Sequence, residues 1–450
     1  MNRVLLTCTL AAALGGLLFG YDTVIINGAM LYLVQYFELS PALQGWTVSS
    51  ALVGCILGTI LIGKPGDVYG AKRLLQILSI LFLISSIGCG ITNSIFFFIL
   101  FRFIGGLAIG GSSVICPVYI SEISPPKHRG LLASTFQLAI VLGILLSLVS
   151  NYLLLDSGKN NWRWMLMSGA FPALAFFLML LTIRTSPRWL VKKGRIDEAR
   201  RNIEELSSHE IDTELTIAAI RESINAETES QKINLFRKPY RKIITIGIFV
   251  GVISQLTGIG VVFYYSSQIF SIAGFSNNTS MAQGVILGVT NLIFTVLAMA
   301  FIDKTGRKKL LLTGQLCMAI VLGLFGYGLL TGNITGYWLV VLLVAYIASF
   351  AGSQGVVVWV LLAEMFPNNI RSRGTSLGSF ANWMVSASLN FLFPLVIGYF
   401  GSSMVAQQKG MSFAFLFLSV VTLWGFFYLK KHILETKGKT LEQIEHEVLN

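Results

Sequence analysis

Apolar runs of roughly 18 to 25 residues, each long enough to cross about 30 Å of hydrocarbon, recur about twelve times along this chain and restrict its fold more than any other feature. They fall near 5–30, 46–63, 74–92, 95–115, 131–153, 164–183, 243–270, 282–302, 310–330, 337–362, 375–400 and 411–430. A backbone surrounded by lipid must satisfy its own hydrogen bonds, so runs of this length are helices. With 54% hydrophobic and only 12% charged residues in 450, there is too little polar surface to clothe a soluble globule. The chain therefore reads as an all-α membrane protein of about twelve transmembrane helices.

Two hydrophilic stretches punctuate the runs and predict four parts: an N-terminal six-helix bundle over 1–183, a helical linker over 184–242, a C-terminal six-helix bundle over 243–430 and a tail over 431–450. Within the linker, Arg195–Leu206 and Ile211–Arg221 carry apolar residues at helical spacing, the pattern of short amphipathic helices; a plain solvated linker is the alternative. The net charge of +12 raises the question of an acidic partner such as nucleic acid. Its distribution answers it. With the N-terminus inside, nearly all Lys and Arg fall on one side, and only Lys159, Arg163 and Lys409 fall on the other. That is the positive-inside pattern, which places both termini in the cytoplasm and makes the lipid bilayer, not nucleic acid, the partner. Met1 to Gly20 imitates a secretory signal, but its removal would delete half of the first span, so the segment is read as part of that span.

Inside the first run stands a lone carboxylate, Asp22, close to mid-bilayer. A charge there costs from about 3 kcal/mol upward, and acids in such positions usually line aqueous paths and handle ions or protons. The five cysteines sit singly within predicted spans, without the close Cys or His companions of a metal site, and read as small packing residues. No Ser-His-Asp, paired-carboxylate or metal-ligand constellation appears, so the sequence points to neither an enzyme nor a cofactor.

The chain also contains itself twice. Asp67-Val-Tyr-Gly70-Ala-Lys72-Arg73 follows the second run and Asp303-Lys-Thr-Gly306-Arg307-Lys308-Lys309 follows the eighth. Glu122 to Arg129 recurs as Glu364 to Arg371 at nearly the same offset of about 240 residues. Two motifs repeating at one spacing predict duplicated bundles with a substrate held near the midplane between them. In each loop glycine supplies a positive φ, the carboxylate is free to cap a helix or pair with Arg, and the basic residues hold the loop inside. Asp67, Arg73, Glu122 and Arg129, with Asp303, Arg307, Glu364 and Arg371, are the candidate residues of an ion-pair gate that breaks on rocking. A turn with topogenic charges is the plainer reading of either copy alone.

Taken together, several strings resemble the sugar porters of the major facilitator superfamily over nearly the whole chain: Gly15-Gly-Leu-Leu-Phe-Gly-Tyr-Asp22, the paired loops, Arg102-Phe-Ile-Gly-Gly, Pro117-Val-Tyr-Ile-Ser-Glu122, Asn161-Trp-Arg-Trp164, Ser186-Pro-Arg-Trp-Leu190, Gln255-Leu-Thr-Gly-Ile, Tyr264-Tyr265 and Glu435-Thr-Lys-Gly-Lys-Thr440. Within that family, Val289 to Ala298 and Trp359 to Glu364 look closest to bacterial xylose:proton symporters. The resemblance implies two pseudo-symmetric six-helix bundles and a monomeric carrier in the plasma (inner) membrane. It implies a proton-coupling pair of Asp22 and Arg102, and a sugar site of Phe19, Gln137, Gln255, Tyr264, Asn291, Trp359, Asn382 and Trp383. The chemistry suits a neutral sugar, because amides donate and accept without a buried charge and aromatic faces cover the CH surface of a pyranose. Glue between helices and interfacial anchoring are the plainer roles of such residues. The pocket departs from the family at Ser254 and Gly260, where amides are usual, which leaves another pentose, a hexose or a polyol such as inositol open as substrate. An Arg beside Asp22 favours the carboxylate, and its withdrawal in a low dielectric favours the neutral acid, so protonation would follow conformation. The expected function is import of a monosaccharide in symport with a proton; an uncoupled facilitator and a non-transporting sugar sensor are the alternatives.

Overall fold

The computed structural model of the chain describes every residue except 1, 126–127, 208–211, 231–237, 333–335, 368–369, 434, 436 and 438–450; the side chains at 129, 225–230, 238–239, 363 and 371–372 also lie outside the description. Most of the expected tail, and the side chains of Arg129 and Arg371, therefore fall outside the described residues. Among the described residues, twelve helices are long and apolar enough to cross a membrane. Spans 1 to 6 are Arg3–Tyr36, Pro41–Leu61, Ala71–Ile91, Ile95–Ile123, Gly130–Leu153 and Asn161–Thr182. Spans 7 to 12 are Tyr240–Ile272, Asn277–Thr305, Arg307–Thr331, Tyr337–Leu362, Arg373–Phe400 and Met404–His432. Large apolar side chains such as Leu131, Phe171, Ile320 and Phe427 are exposed on them, a surface that suits lipid and would aggregate in water.

Chain contacts gather into two compact units. The first comprises Met1–Ile25, Val53–Ser147 and Arg163–Lys232. Within it spans 1 and 5 touch through glycine: a Cβ on Gly20 would strike the Ile140 carbonyl, and one on Gly143 would strike that of Leu17. Small residues are what lets membrane helices approach so closely. This unit also carries the linker helices Pro187–Lys192, Ile196–Ser207 and Thr213–Ser230. The first starts on Ser186, whose hydroxyl accepts from the Trp189 N–H, with Pro187 at the first helical position where no N–H is needed. Leu190, Ala199, Ile203 and Ile217 bury one apolar face from each of the three helices, so the linker has a core of its own.

The second unit comprises Ile26–Leu52, Leu148–Trp162 and Ile233–Asn450. Two of its spans are broken. Span 7 divides at Gly258, with φ of +86°, into Lys238–Leu256 and Ile259–Ile272, and bends again at Tyr265. Span 10 divides around Ser353 into Tyr337–Ala351 and Gln354–Glu364. Irregular backbone at membrane depth is tolerated only where protein or a water-lined cavity meets its polar groups, so these breaks mark the parts of the unit that handle something polar. Four cysteines are buried as expected of packing residues, whereas Cys317 is exposed on span 9.

Both repeated loops use their glycine in the same way. Gly70 has φ 80° and ψ 159°, and Gly306 has φ 91° and ψ 150°; each ends one helix and starts the next. No residue with a Cβ takes that conformation without strain.

Candidate functional site

In the first unit, Asp22 on span 1 and Arg102 on span 4 form a buried ion pair. Nη1 of Arg102 donates to both carboxylate oxygens, at 3.1 and 3.0 Å, and the two residues are 8% and 1% exposed. Gly105, one turn along from Arg102, keeps the space open: a Cβ there would meet the Ser85 hydroxyl and come within 3.9 Å of Asp22 Oδ1. Desolvating two such ions costs several kcal/mol each, offset only by close geometry, and losing one partner costs about 3–5 kcal/mol. The arrangement is therefore stable as a pair and unstable with either charge left alone.

The loop motifs engage partners that sequence spacing does not show. Asp67 lies 2.7 Å from Lys192 Nζ, and its carbonyl accepts from Trp189 Nε1 at 3.2 Å. Glu122 lies 3.9 Å from Arg188, so both acids of the first copy meet the Ser186–Lys192 segment. Arg73 is exposed and forms no salt bridge among the described residues. In the second copy the pairs are internal to the motif: Arg307 lies 2.9 Å from Asp303 and 3.1 Å from Glu364. Neither motif acid caps the following helix. In the second copy that task falls to Glu435, whose carboxylate accepts from the Arg307 and Lys308 N–H groups at 2.9 and 3.1 Å. A carboxylate there meets both free donors and the positive end of the helix dipole. Glu435 was legible as a charge within a string singled out above, and Lys192 lies two residues beyond another, but their partners lie 128 and 125 residues away in sequence.

Of the sugar-site candidates, Phe19 and Gln137 belong to the first unit and are half-buried. The other six belong to the second. There Gln255 Nε2 donates to Asn382 Oδ1 at 3.3 Å, while Asn382 Nδ2 donates to the Gly251 carbonyl at 3.2 Å and lies 3.4 Å from the Ser254 hydroxyl. Tyr264, Asn291 and Trp383 are buried, and Trp359 is 40% exposed. The bare Gly260 gains a meaning. A Cβ there would come 2.8 Å from Asn390 Nδ2 and 3.5 Å from both Gln255 Oε1 and Ser386 Oγ. Asn390 thus puts an amide where a longer residue at 260 would stand. Its Nδ2 donates to the Ser386 carbonyl, and its Oδ1 has no hydrogen-bond partner among the described residues. Asn390 was missed from sequence, although it follows Asn382 by eight residues on the same helix face, which was the available signal.

A further amide cluster joins spans 1 and 2 to spans 7 and 11 within the second unit. Asn27 donates to Ser266 Oγ at 2.7 Å and accepts the Ser267 N–H at 2.9 Å, just past the bend at Tyr265. Gln44 donates to Gln268 at 2.6 Å, and Ser49 donates to the Ala387 carbonyl at 2.9 Å. By chain direction these contacts lie at the end of the spans opposite the Asp303–Arg307 loop.

Twelve spans with paired loops and a buried acid–arginine pair define a membrane carrier of the major facilitator fold, and comparison with known proteins agrees. The family model described as sugar (and other) transporter matches residues 8–448. The chain belongs to that family, whose members are transporters and not enzymes. It is 36% identical to a D-xylose transporter of Levilactobacillus brevis, covering 96% of this chain and 93% of that protein. It is 34% identical to an arabinose-proton symporter of Bacillus subtilis, covering 98% and 94%. Among solved structures, the inward open conformation of the xylose transporter XylE from E. coli matches with a TM-score of 0.85 at 32% identity, covering 98% of this chain and 99% of that one.

Proposed function

We propose that the protein imports a monosaccharide, D-xylose or a related pentose or hexose, in symport with a proton by alternating access. The observation that carries this reading is the buried Asp22–Arg102 pair. When the pair is made, the site is neutral without a proton. A proton delivered to Asp22 from outward-facing water frees Arg102, so that the carrier reorients without an ionised, unpaired acid, which would be costly at that depth. Gln137, Gln255, Asn291, Asn382 and the rings of Phe19, Tyr264, Trp359 and Trp383 hold the sugar; the names of the relatives support a sugar as the substrate.

The carrier sits in the plasma (inner) membrane as a monomer, with both termini in the cytoplasm. Bundles 1–183 and 243–430 rock about the sugar and are joined by 184–242. The Asn27 and Ser49 hydrogen bonds close the external end and break when it opens. The salt bridges around Asp67, Glu122 and Arg307 form and break with the opposite end.

The test is uptake of labelled D-xylose into vesicles with and without an imposed pH gradient, with a panel of pentoses, hexoses and inositol as competitors. Accumulation above equilibrium only with the gradient supports symport. Equal uptake in both conditions defines an uncoupled facilitator instead.

A further inference from the structure

We propose that the basic end of the groove between spans 7 and 12 is a binding site for the headgroup of an anionic phospholipid. A cavity of about 440 Å³ opens there, lined by Arg241, Lys242, Thr245, Ile246, Tyr428 and His432. Among the described residues its polar lining is basic or hydroxylic, and none of them is a carboxylate. None of Arg241, Lys242 and His432 forms a salt bridge with a described residue. Two basic residues of the first half are used differently. Arg184 is held 2.6 Å from Glu205, and Lys72 donates to the Ile183 carbonyl at 2.6 Å. The cations beside spans 7 and 12 instead face outward around a space that fits an anion.

The apolar half of the groove identifies which anion. Trp424, Tyr428 and His432 recur at four-residue spacing on one face of span 12, and Phe249 of span 7 inserts between the first two. The ring centroids step from Trp424 to Phe249 at 5.2 Å, from Phe249 to Tyr428 at 3.6 Å and from Tyr428 to His432 at 4.4 Å. Trp424 is 56% exposed, so this ladder presents an apolar strip that leads from span interior to the basic cavity. Arg241 and Lys242 are at the start of span 7 and His432 at the end of span 12, which sets the cavity at headgroup depth. A soluble phosphate would use the cations and leave the strip idle, whereas a neutral lipid would use the strip and leave the cations unmatched. A diester phosphate with a net negative headgroup and an acyl chain uses both, and clustered basic residues beside spans on the positive side are where such lipids concentrate. This site is independent of the sugar and the proton.

The experiment measures thermal unfolding of the full chain in uncharged detergent with added phosphatidylglycerol, phosphatidylcholine or inorganic phosphate. Retention of phosphatidylglycerol is followed in parallel by native mass spectrometry. The wild type is expected to gain several degrees more from phosphatidylglycerol than from either control. The triple variant Arg241→Gln, Lys242→Gln, His432→Gln loses that excess and binds the lipid about 30-fold more weakly, taking about 1 kcal/mol for each of Arg241 and Lys242. The double variant Lys159→Gln, Lys409→Gln, which removes charge at the other end, keeps it. If the triple variant does not fold, Arg241→Gln alone is read by lipid retention, where a clear loss against the wild type is expected. An unchanged excess in the basic-residue variants, equal stabilisation by phosphatidylcholine, or equal stabilisation by inorganic phosphate would each overturn the proposal.

Discussion

In the first unit the functional polarity is charge, and in the second it is amide. Asp22 and Arg102 face each other in the first with every formal charge matched inside the pair. Gln255, Asn382, Asn390 and Asn291 populate the second, and the described ion pairs there lie at its loop end, around Arg307. The difference follows from cost. A buried charge is tolerable only beside its partner, so a charged centre responds strongly to anything that adds or removes one charge of the pair. Amides bear no net charge, donate and accept at once, and lose about 1–3 kcal/mol each when left unmatched, which suits exchange between protein and sugar hydroxyls. On the proposed function, the first unit answers to a proton, while the second, together with Phe19 and Gln137 of the first, holds a neutral polyhydroxy solute.

The most severe way to break this contrast is to leave charge alone in the first unit. Arg102→Leu strands Asp22 and is expected to cost about 3–5 kcal/mol, read as a large fall in thermal stability in detergent. The double variant Asp22→Leu, Arg102→Leu removes both ions and recovers most of the loss, since apolar replacement of a whole buried pair is often neutral. Equal damage in single and double variants would mean that shape, not charge, matters at this position.

In the second unit the expected cost is smaller and appears in binding rather than in stability. Asn382→Leu breaks the contacts with Gln255 and the Gly251 carbonyl and removes two hydrogen-bonding groups from the proposed sugar site. Sugar binding by titration calorimetry should weaken about 10- to 100-fold, with stability little changed. The smallest effect is the sharpest. Asn390→Leu and Gly260→Ala both disturb the amide beside Gly260, and each should weaken binding about three- to tenfold while changing the order of preference among pentoses and hexoses. Uniform weakening across the panel would assign Asn390 to packing.

Much of the fold was legible because hydrophobic runs of membrane length have few other solutions. The spans agree in number and order, but several are longer than their hydrophobic runs: the run near 5–30 is a helix over Arg3–Tyr36. The breaks in spans 7 and 10 were not legible as breaks, because hydropathy is blind to backbone angles. Gly258 within Gln255-Leu-Thr-Gly-Ile was the local hint, and its φ of +86° is what glycine permits. Asp22 was legible as an anomaly in an apolar setting, and its pairing with Arg102 was what the family resemblance implied. The partners of Asp67 and of the Arg307 helix start were not, as Lys192 and Glu435 reach them through tertiary structure. Asn390 escaped notice because Asn within a span usually serves to join helices, and only its place over Gly260 sets it apart.

The central claim is that Asp22 ties sugar movement to the proton, and the substitution Asp22→Asn tests it most directly. In vesicles carrying this variant, exchange of labelled for unlabelled sugar should persist while accumulation driven by a pH gradient disappears. Accumulation at the wild-type level would contradict the account.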